Sequence, residues 1–254
     1  MTKAPARYLE LAFEFFSWRG GEMQPLGEPD KAKNRNLVAA LVGLAVAWGG
    51  PLVLLSPAYR LLGAPERMTT QILGQLMLWG LLAAILVIVT FWEKQPLASL
   101  SLRPFRWSSL AWGLLLAVVT ICVVMPSLTW ALRVAGIPGF ETGMAKILIL
   151  PVWFRAFAAI TAGIIEDTLF LGYGFNRLKL ITGSYWLSGV ITVLVVSLLH
   201  FPHWGAGPVL AYFVAVGLGT AFFVWRRDLL ANIVAHVTVD AMGLVIVPLL
   251  SQAR

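Results

Sequence analysis

The stretch that decides the fold is TQILGQLMLWGLLAAILVIVTFW, residues 70–92, which contains no charged residue and no histidine. A helix needs about 20 apolar residues to cross a hydrocarbon core roughly 30 Å thick. Stretches of this kind recur through the 254-residue chain, which is 59% hydrophobic and only 12% charged. Because an ordinary soluble domain carries about 25% charged residues, the composition excludes a water-soluble globular protein and indicates a multispan membrane protein.

The apolar stretches predict an all-α fold, a polytopic membrane bundle of about seven transmembrane helices within residues 37–254. The loops between them are too short to hold a second folded domain, so any activity must lie inside the bundle. The predicted spans are residues 37–57, 70–92, 107–132, 147–176, 184–201, 206–225 and 229–250.

Residues 1–36 form the one sizeable polar segment, which we predict to be cytoplasmic. Two interpretations of it stay open: a short amphipathic helix on the membrane surface, and a disordered tail. The first rests on apolar residues at helical spacing, namely Tyr8, Leu11, Ala12, Phe15 and Phe16.

The orientation follows from the basic residues, because short cytoplasmic loops carry an excess of Lys and Arg. We therefore expect an integral protein of the cell (inner) membrane with a cytoplasmic N-terminus. The net charge of +7 is spread between apolar runs rather than gathered in one patch, so we predict the lipid bilayer and no nucleic acid as a partner. The basic residues on the predicted cytoplasmic side are Lys3, Arg7, Arg19, Lys31, Lys33, Arg35, Lys94, Arg103, Arg106, Arg177, Lys179, Arg226 and Arg227.

Ionisable residues are concentrated in three of the predicted spans. Glu166 and Asp167 lie in the fourth, His200 ends the fifth, and His236 and Asp240 lie in the seventh. A charged side chain in the middle of a membrane costs about 2.5–3.5 kcal/mol on insertion scales, so such groups usually face the bundle interior or a wet cavity. His236 and Asp240 are four residues apart and therefore share one face of a helix.

A carboxylate and an imidazole around one water can remove its proton and make a nucleophile. A second imidazole with a polar neighbour can stabilise the oxyanion that forms when water attacks a carbonyl. Glu166 with His200, and His236 with Asp240, are the candidates for these two tasks.

Three further residues have simpler interpretations. Arg155, Glu166 and Arg177 follow one another at steps of eleven, which predicts one stripe of a straight helix. We expect Arg155 to be a snorkelling residue near the outer interface. His203 follows Pro202 and precedes a predicted turn, so we expect an interfacial residue rather than a catalyst.

Three short motifs resemble those of the CPBP intramembrane proteases, the family of the CAAX prenyl endopeptidases and the bacteriocin-processing and Abi-type proteins. They are Glu166-Asp167-Thr168-Leu169-Phe170-Leu171, Val196-x-x-x-His200 and His236-x-x-x-Asp240. The usual family pattern is Glu-Glu-x-x-x-Arg, Phe-x-x-x-His and His-x-x-x-Asn/Asp. The resemblance covers about residues 145–250, which we take as the catalytic core.

The resemblance implies a glutamate-dependent endopeptidase that cleaves within or next to the membrane. Carried over by position, Glu166 and His200 activate water, His236 and Asp240 line the oxyanion site, and Asp167 stands where the second glutamate is usual. Leu171 occupies the position of the usual arginine, and Val196 that of the usual phenylalanine. The expected substrate is a membrane-anchored protein or peptide, such as a lipidated C-terminus, a leader or a C-terminal sorting signal.

Alternatives stay open at this point. Zinc held by His200, His236 and Glu166 is a second way to catalyse the same hydrolysis, although we expect no cofactor. A non-catalytic membrane scaffold is a third interpretation, supported by Leu171. A proton-coupled transporter is a fourth, since intramembrane carboxylates and histidines also form proton relays.

Overall fold

The computed structural model describes residues 31–53 and 67–252 of the chain, all of them in helices or the loops that join helices. The all-α prediction is confirmed for this part, which contains no strand. The predicted surface helix near Tyr8 lies outside the described residues. Among the described residues, 36–53 and 67–252 form one compact unit.

The helices are numbered in chain order, and five of them run on directly into a stretch of π-helix. The α-helices are α1 Lys31–Leu44, α2 Met68–Val87, α3 Trp107–Val119, α4 Met125–Val134, α5 Glu141–Leu148, α6 Val152–Glu166, α7 Asn176–Thr182, α8 Tyr185–Leu199, α9 Phe201–Trp204, α10 Ala206–Arg226, α11 Leu229–Ala241 and α12 Val247–Gln252. The π-helical stretches are Ala45–Gly49, Ile88–Trp92, Thr120–Val124, Asp167–Phe175 and Met242–Ile246, and a 3₁₀ turn spans Leu97–Leu100.

Six helical segments of the described chain are long and apolar enough to cross a membrane. They are Asn36–Val53, Met68–Trp92, Trp107–Val134, Tyr185–Trp204, Ala206–Arg226 and Leu229–Gln252. These six correspond to six of the seven predicted spans. The other predicted span, residues 147–176, contains α6 and the π-helix that follows it, but it is not among the six, so the count of seven stays a prediction.

The outer faces of the helices carry many exposed Leu, Val, Ile, Phe and Trp side chains. An apolar surface of this extent marks contact with lipid rather than with water. The interior core lies where α2 and the π-helix Asp167–Phe175 pack together, with Ile85, Tyr173 and Phe175 completely enclosed.

Helix α11 lies between α3 and α6 and packs most extensively against these two. Glycines make both approaches close. A β-carbon added at Gly163 of α6 would lie 2.4 Å from the Val237 side chain, and one at Gly113 of α3 would lie 2.5 Å from the Ala231 carbonyl oxygen. Small residues at helix interfaces allow backbones to approach closely in membranes. This close packing brings the middle of α11 against the end of α6.

Candidate active site

The most unusual backbone feature of the described chain is the long π-helix that begins directly after Glu166. All nine residues of Asp167–Phe175 are buried. The Thr168 hydroxyl donates a hydrogen bond of 2.6 Å to the Ile164 carbonyl, and such bonding to the preceding turn bends helices. Stretches of π-helix occur frequently at functional sites. The π-helix separates Glu166 from Arg177, so the predicted single stripe is wrong for Arg177, whereas Arg155 and Glu166 share the α-helix Val152–Glu166.

Glu166 approaches His200 across two helices. The Nε2 atom of His200, at the C-terminal end of α8, lies 3.7 Å from Oε2 of Glu166, at the end of α6. The other ring nitrogen, Nδ1, donates to the Val196 carbonyl oxygen at 2.8 Å. A carbonyl oxygen only accepts hydrogen bonds. It therefore holds the hydrogen on Nδ1 and, in the neutral ring, leaves the Nε2 lone pair facing Glu166.

His236 of α11 lies between two carboxylates. Its Nδ1 donates to Oδ1 of Asp167 at 3.1 Å, and its Nε2 lies 3.7 Å from Oδ2 of Asp240. The second oxygen of Asp167, Oδ2, is buried without a hydrogen-bond partner among the described residues. The imidazole thus connects Asp167, which follows Glu166 in the chain, with Asp240, four residues further along α11.

The five predicted site residues therefore fall into two adjoining groups. Glu166 with His200 forms one group, and Asp167 with His236 and Asp240 forms the other. Their side chains keep between 12% and 30% of their surface accessible, so small molecules can reach them. The structure brings all five together, and their roles stay predictions.

Leu171, at the motif position of the usual arginine, is buried in the apolar core beside the site. Neither nearby arginine takes its place. Arg155 is only 3% exposed and donates to the Leu244 carbonyl at 2.8 Å, so the prediction of a snorkelling side chain at the interface is wrong. Within the described residues, no arginine contacts Glu166 or Asp167.

Arg177 belongs to a buried ion pair that the sequence analysis missed. Its guanidinium donates two bonds to one Glu93 oxygen, from Nε at 2.9 Å and from Nη2 at 2.6 Å. The Tyr173 hydroxyl donates to the other Glu93 oxygen at 2.8 Å, and the Arg177 guanidinium also lies 4.9 Å from the centre of the Tyr173 ring. The group ties the end of α2 to the π-helix that carries Asp167. Its sequence signal was weak, because Glu93 falls just outside a predicted span.

We expect Glu93→Ala to lower the free energy of unfolding by about 3–5 kcal/mol, because it leaves the Arg177 charge buried without its carboxylate partner. Thermal unfolding in detergent micelles measures the effect. Glu141→Ala, on the exposed side of α5, is the matched control and is expected to change stability by less than about 0.5 kcal/mol. Equal melting of the two variants would contradict a stabilising role for the ion pair.

Tyr212 borders the site, whereas His203 does not. The ring of Tyr212, on α10, lies 4.3 Å from the imidazole of His200, measured between centroids. No sequence signal indicated Tyr212, because it is a lone tyrosine in an apolar span. His203, in α9, is exposed and its ring contacts Trp204 at 5.0 Å, while no contact joins it to the carboxylates of the site.

The arrangement of the possible donor side chains bears on the zinc alternative. Within residues 36–53 and 67–252, no group of three or more His, Cys, Asp or Glu side chains is arranged to hold a metal ion. The zinc ligands considered from the sequence, His200, His236 and Glu166, are therefore not grouped around one point as the structure stands.

Residues 148–242 match the protein family described as Type II CAAX prenyl endopeptidase Rce1-like. This match supports the CPBP intramembrane protease family for this part of the chain. The match confirms the resemblance, and it contains Glu166, Asp167, His200, His236 and Asp240. A CPBP match supports, in general terms, a CAAX-type intramembrane endopeptidase, which is a peptidase embedded in the membrane that acts on a membrane-associated peptide or protein. No curated protein and no solved structure matches the chain.

Proposed function

We propose that the protein is a CPBP-type glutamic intramembrane endopeptidase that hydrolyses a peptide bond of a membrane-tethered protein or peptide. The observation that carries the proposal is the approach of Glu166 Oε2 to His200 Nε2 at 3.7 Å. A carboxylate oxygen and an imidazole nitrogen with a lone pair have no hydrogen to share. A molecule that donates two hydrogens suits this position, and water is such a molecule.

The catalytic water donates one hydrogen to Glu166 and the other to His200. As the water oxygen attacks the carbonyl carbon of the scissile bond, its proton moves to the Glu166 carboxylate. General-base catalysis of this kind contributes about 10²–10⁴-fold to a rate. The carbonyl π electrons move onto the carbonyl oxygen, which becomes the oxyanion of a tetrahedral intermediate.

His236 is proposed to stabilise that oxyanion. It acts as an imidazolium between the two carboxylates and therefore carries a hydrogen on both ring nitrogens. Nδ1–H donates to Asp167, and Nε2–H, on the side of Asp240, is available to the developing negative charge. The intermediate collapses when the C–N bond breaks and the proton on Glu166 passes to the leaving nitrogen. The products are a new carboxyl terminus and a new amino terminus, and Glu166 is again a carboxylate.

The missing motif arginine does not, in this proposal, abolish activity. The family resemblance implies that the arginine orients the acidic pair, and here His236 holds Asp167 in place by a direct bond of 3.1 Å. The non-catalytic scaffold is the second interpretation of the same substitution, and it predicts binding of a substrate without cleavage.

The substrate classes proposed are a lipidated C-terminus, a leader peptide and a C-terminal sorting signal. All three place a scissile bond close to the bilayer, which is where a site at Glu166, the last residue of α6, is proposed to act. We further propose an inner-membrane protein with a cytoplasmic N-terminus.

The test is cleavage by the full chain reconstituted in liposomes. The probes are three peptides, each with a fluorophore and a quencher: one farnesylated with a C-terminal CAAX sequence, one leader and one sorting signal with a membrane anchor. We expect endoproteolytic cleavage of at least one probe, with one ¹⁸O atom in the new carboxylate when the reaction runs in ¹⁸O-labelled water. Crosslinking of a probe that is never cut would support the scaffold and contradict the peptidase.

The proposed mechanism uses no cofactor, which predicts the effect of metal removal. Treatment with 1,10-phenanthroline is expected to leave the cleavage rate within about twofold, because Glu166 and His200 activate water directly. Metal analysis of the purified protein is expected to find less than stoichiometric zinc. Stoichiometric zinc that disappears in His236→Ala, together with loss of cleavage on chelation, would favour the zinc-dependent alternative.

A further inference from the structure

Tyr212 is the aromatic residue in closest contact with the proposed catalytic pair. Its ring lies over the His200 imidazole with the two planes tilted by 37° and the centroids 4.3 Å apart. Helix α10, which carries Tyr212, packs extensively against α8, which carries His200. The contact is therefore part of a helix–helix interface and not a chance approach of two surface side chains.

Two further aromatic rings contact Tyr212. Phe140 lies 5.9 Å from it in an edge-to-face arrangement, and Trp204 lies 6.3 Å away. Phe140 and Trp204 also contact each other at 5.8 Å. Aromatic pairs at these distances are favourable contacts. These contacts, together with that to His200, hold the Tyr212 ring in position.

The hydroxyl of Tyr212 makes no hydrogen bond with any described residue. It is not among the fully enclosed polar atoms, so water or a substrate can reach it. The hydroxyl lies within electrostatic range of two carboxylates of the site, Asp240 and Glu166. A buried tyrosine usually finds a hydrogen-bond partner for its hydroxyl. Here no described residue supplies that partner, so the hydroxyl can donate to a bound substrate.

The proposed oxyanion site lacks a second hydrogen-bond donor. His236 supplies one N–H, but an ionised Asp240 only accepts hydrogen bonds, whereas the asparagine also found at this motif position has an NH₂ group that donates. Acyl-transfer sites generally aim more than one donor at the developing oxyanion. A neutral O–H group near Asp240 is therefore the chemistry that the arrangement calls for.

We propose that Tyr212 is a further catalytic residue whose hydroxyl donates a hydrogen bond to the oxyanion, opposite His236. The inference rests on the proposed function, because it needs a tetrahedral intermediate. No proton is transferred in this step: the O–H bond stays intact, and the hydrogen bond forms as negative charge develops and is released when the C–N bond breaks.

The test compares Tyr212→Phe with Tyr185→Phe on the probe peptide that the wild-type protein cleaves. Phenylalanine keeps the ring contacts and removes only the hydroxyl. Tyr185 is the matched control, because its ring packs on Phe175 and it takes no part in the site. We expect kcat of Tyr212→Phe to fall by about 10²-fold, the lower end of the effect of removing one oxyanion donor, with KM unchanged and with Tyr185→Phe like the wild type.

A second measurement uses an inhibitor that resembles the tetrahedral intermediate. A peptide aldehyde with the probe sequence binds as a tetrahedral hydrate that resembles it, so Tyr212→Phe is expected to weaken its inhibition by the same factor as it lowers kcat/KM. An unchanged kcat, or a loss confined to KM, would overturn the inference. The Glu166→Gln variant keeps the two proposals distinguishable. If Glu166→Gln is inactive while Tyr212→Phe is fully active, only the role of Tyr212 fails. If Glu166→Gln is itself fully active, the proposed function fails.

Discussion

Glu166→Gln is expected to lower kcat for probe cleavage by about 10³–10⁴-fold, the upper range for loss of a general base. The amide has nearly the shape of the carboxylate but cannot take the proton of the attacking water. His200 still offers its Nε2 lone pair in this variant, so binding of the water is retained while its activation is lost. We therefore expect KM to change little, because the substitution acts on the transition state rather than on substrate binding.

Glu141→Gln is the matched control for this experiment. It makes the same chemical change on exposed α5, and we expect wild-type kcat from it. Both variants are compared by melting temperature and by the elution of the purified protein, so that misfolding is recognised. A folded Glu166→Gln protein that cleaves at the wild-type rate would remove Glu166 from the mechanism.

His236→Ala is expected to lower kcat by about 10²–10³-fold, the range measured for loss of one oxyanion donor. The change has a second consequence. Asp167 loses the partner of its Oδ1 at 3.1 Å, and Asp240 loses the imidazole 3.7 Å away. Two carboxylates then remain in the bundle without a donor between them, so we also expect a lower melting temperature.

His203→Ala is the control for His236→Ala, because His203 is an exposed imidazole of α9 outside the proposed chemistry. We expect it to keep wild-type kcat. His236→Gln adds a further comparison, since its amide can donate to one carboxylate but not bridge two, and we expect an intermediate melting temperature. A His236→Ala protein with unchanged kcat would contradict the assignment of this residue to the oxyanion.

The sequence was sufficient for six of the seven predicted spans and for the five ionisable residues that the structure brings together. Residues 70–92 could be assigned to a helix because an apolar stretch of this length has few other stable arrangements. His236 and Asp240 could be placed on one face because they are four residues apart. The grouping of Glu166, His200 and His236 rested on the three motifs, since helical periodicity does not specify which helices meet.

The π-helix after Glu166 could not be predicted, because its hydrogen-bond register depends on how Asp167–Phe175 packs against its neighbours. Periodicity gave a straight helix and therefore one stripe for Arg155 and Arg177. In the structure these two arginines bind the Leu244 carbonyl and Glu93. Both partners are far away in sequence, and no local pattern connects them.

The contact of Tyr212 with the site could not be predicted from the sequence either. Nothing in its neighbours along α10 distinguishes it from an interfacial or packing tyrosine. Its contact with His200 exists only because α10 lies beside α8.

The central claim is that Glu166 and His200 act as one unit on one water. A double-mutant cycle with Glu166→Gln, His200→Ala and the combined variant tests this most directly, with kcat for the cleaved probe as the measured quantity. Residues that act as a unit have strongly non-additive effects, so we predict that the combined variant is no more than about threefold slower than the slower single variant. Losses that multiply, with the double variant slower by the product of the two single effects, would contradict the account.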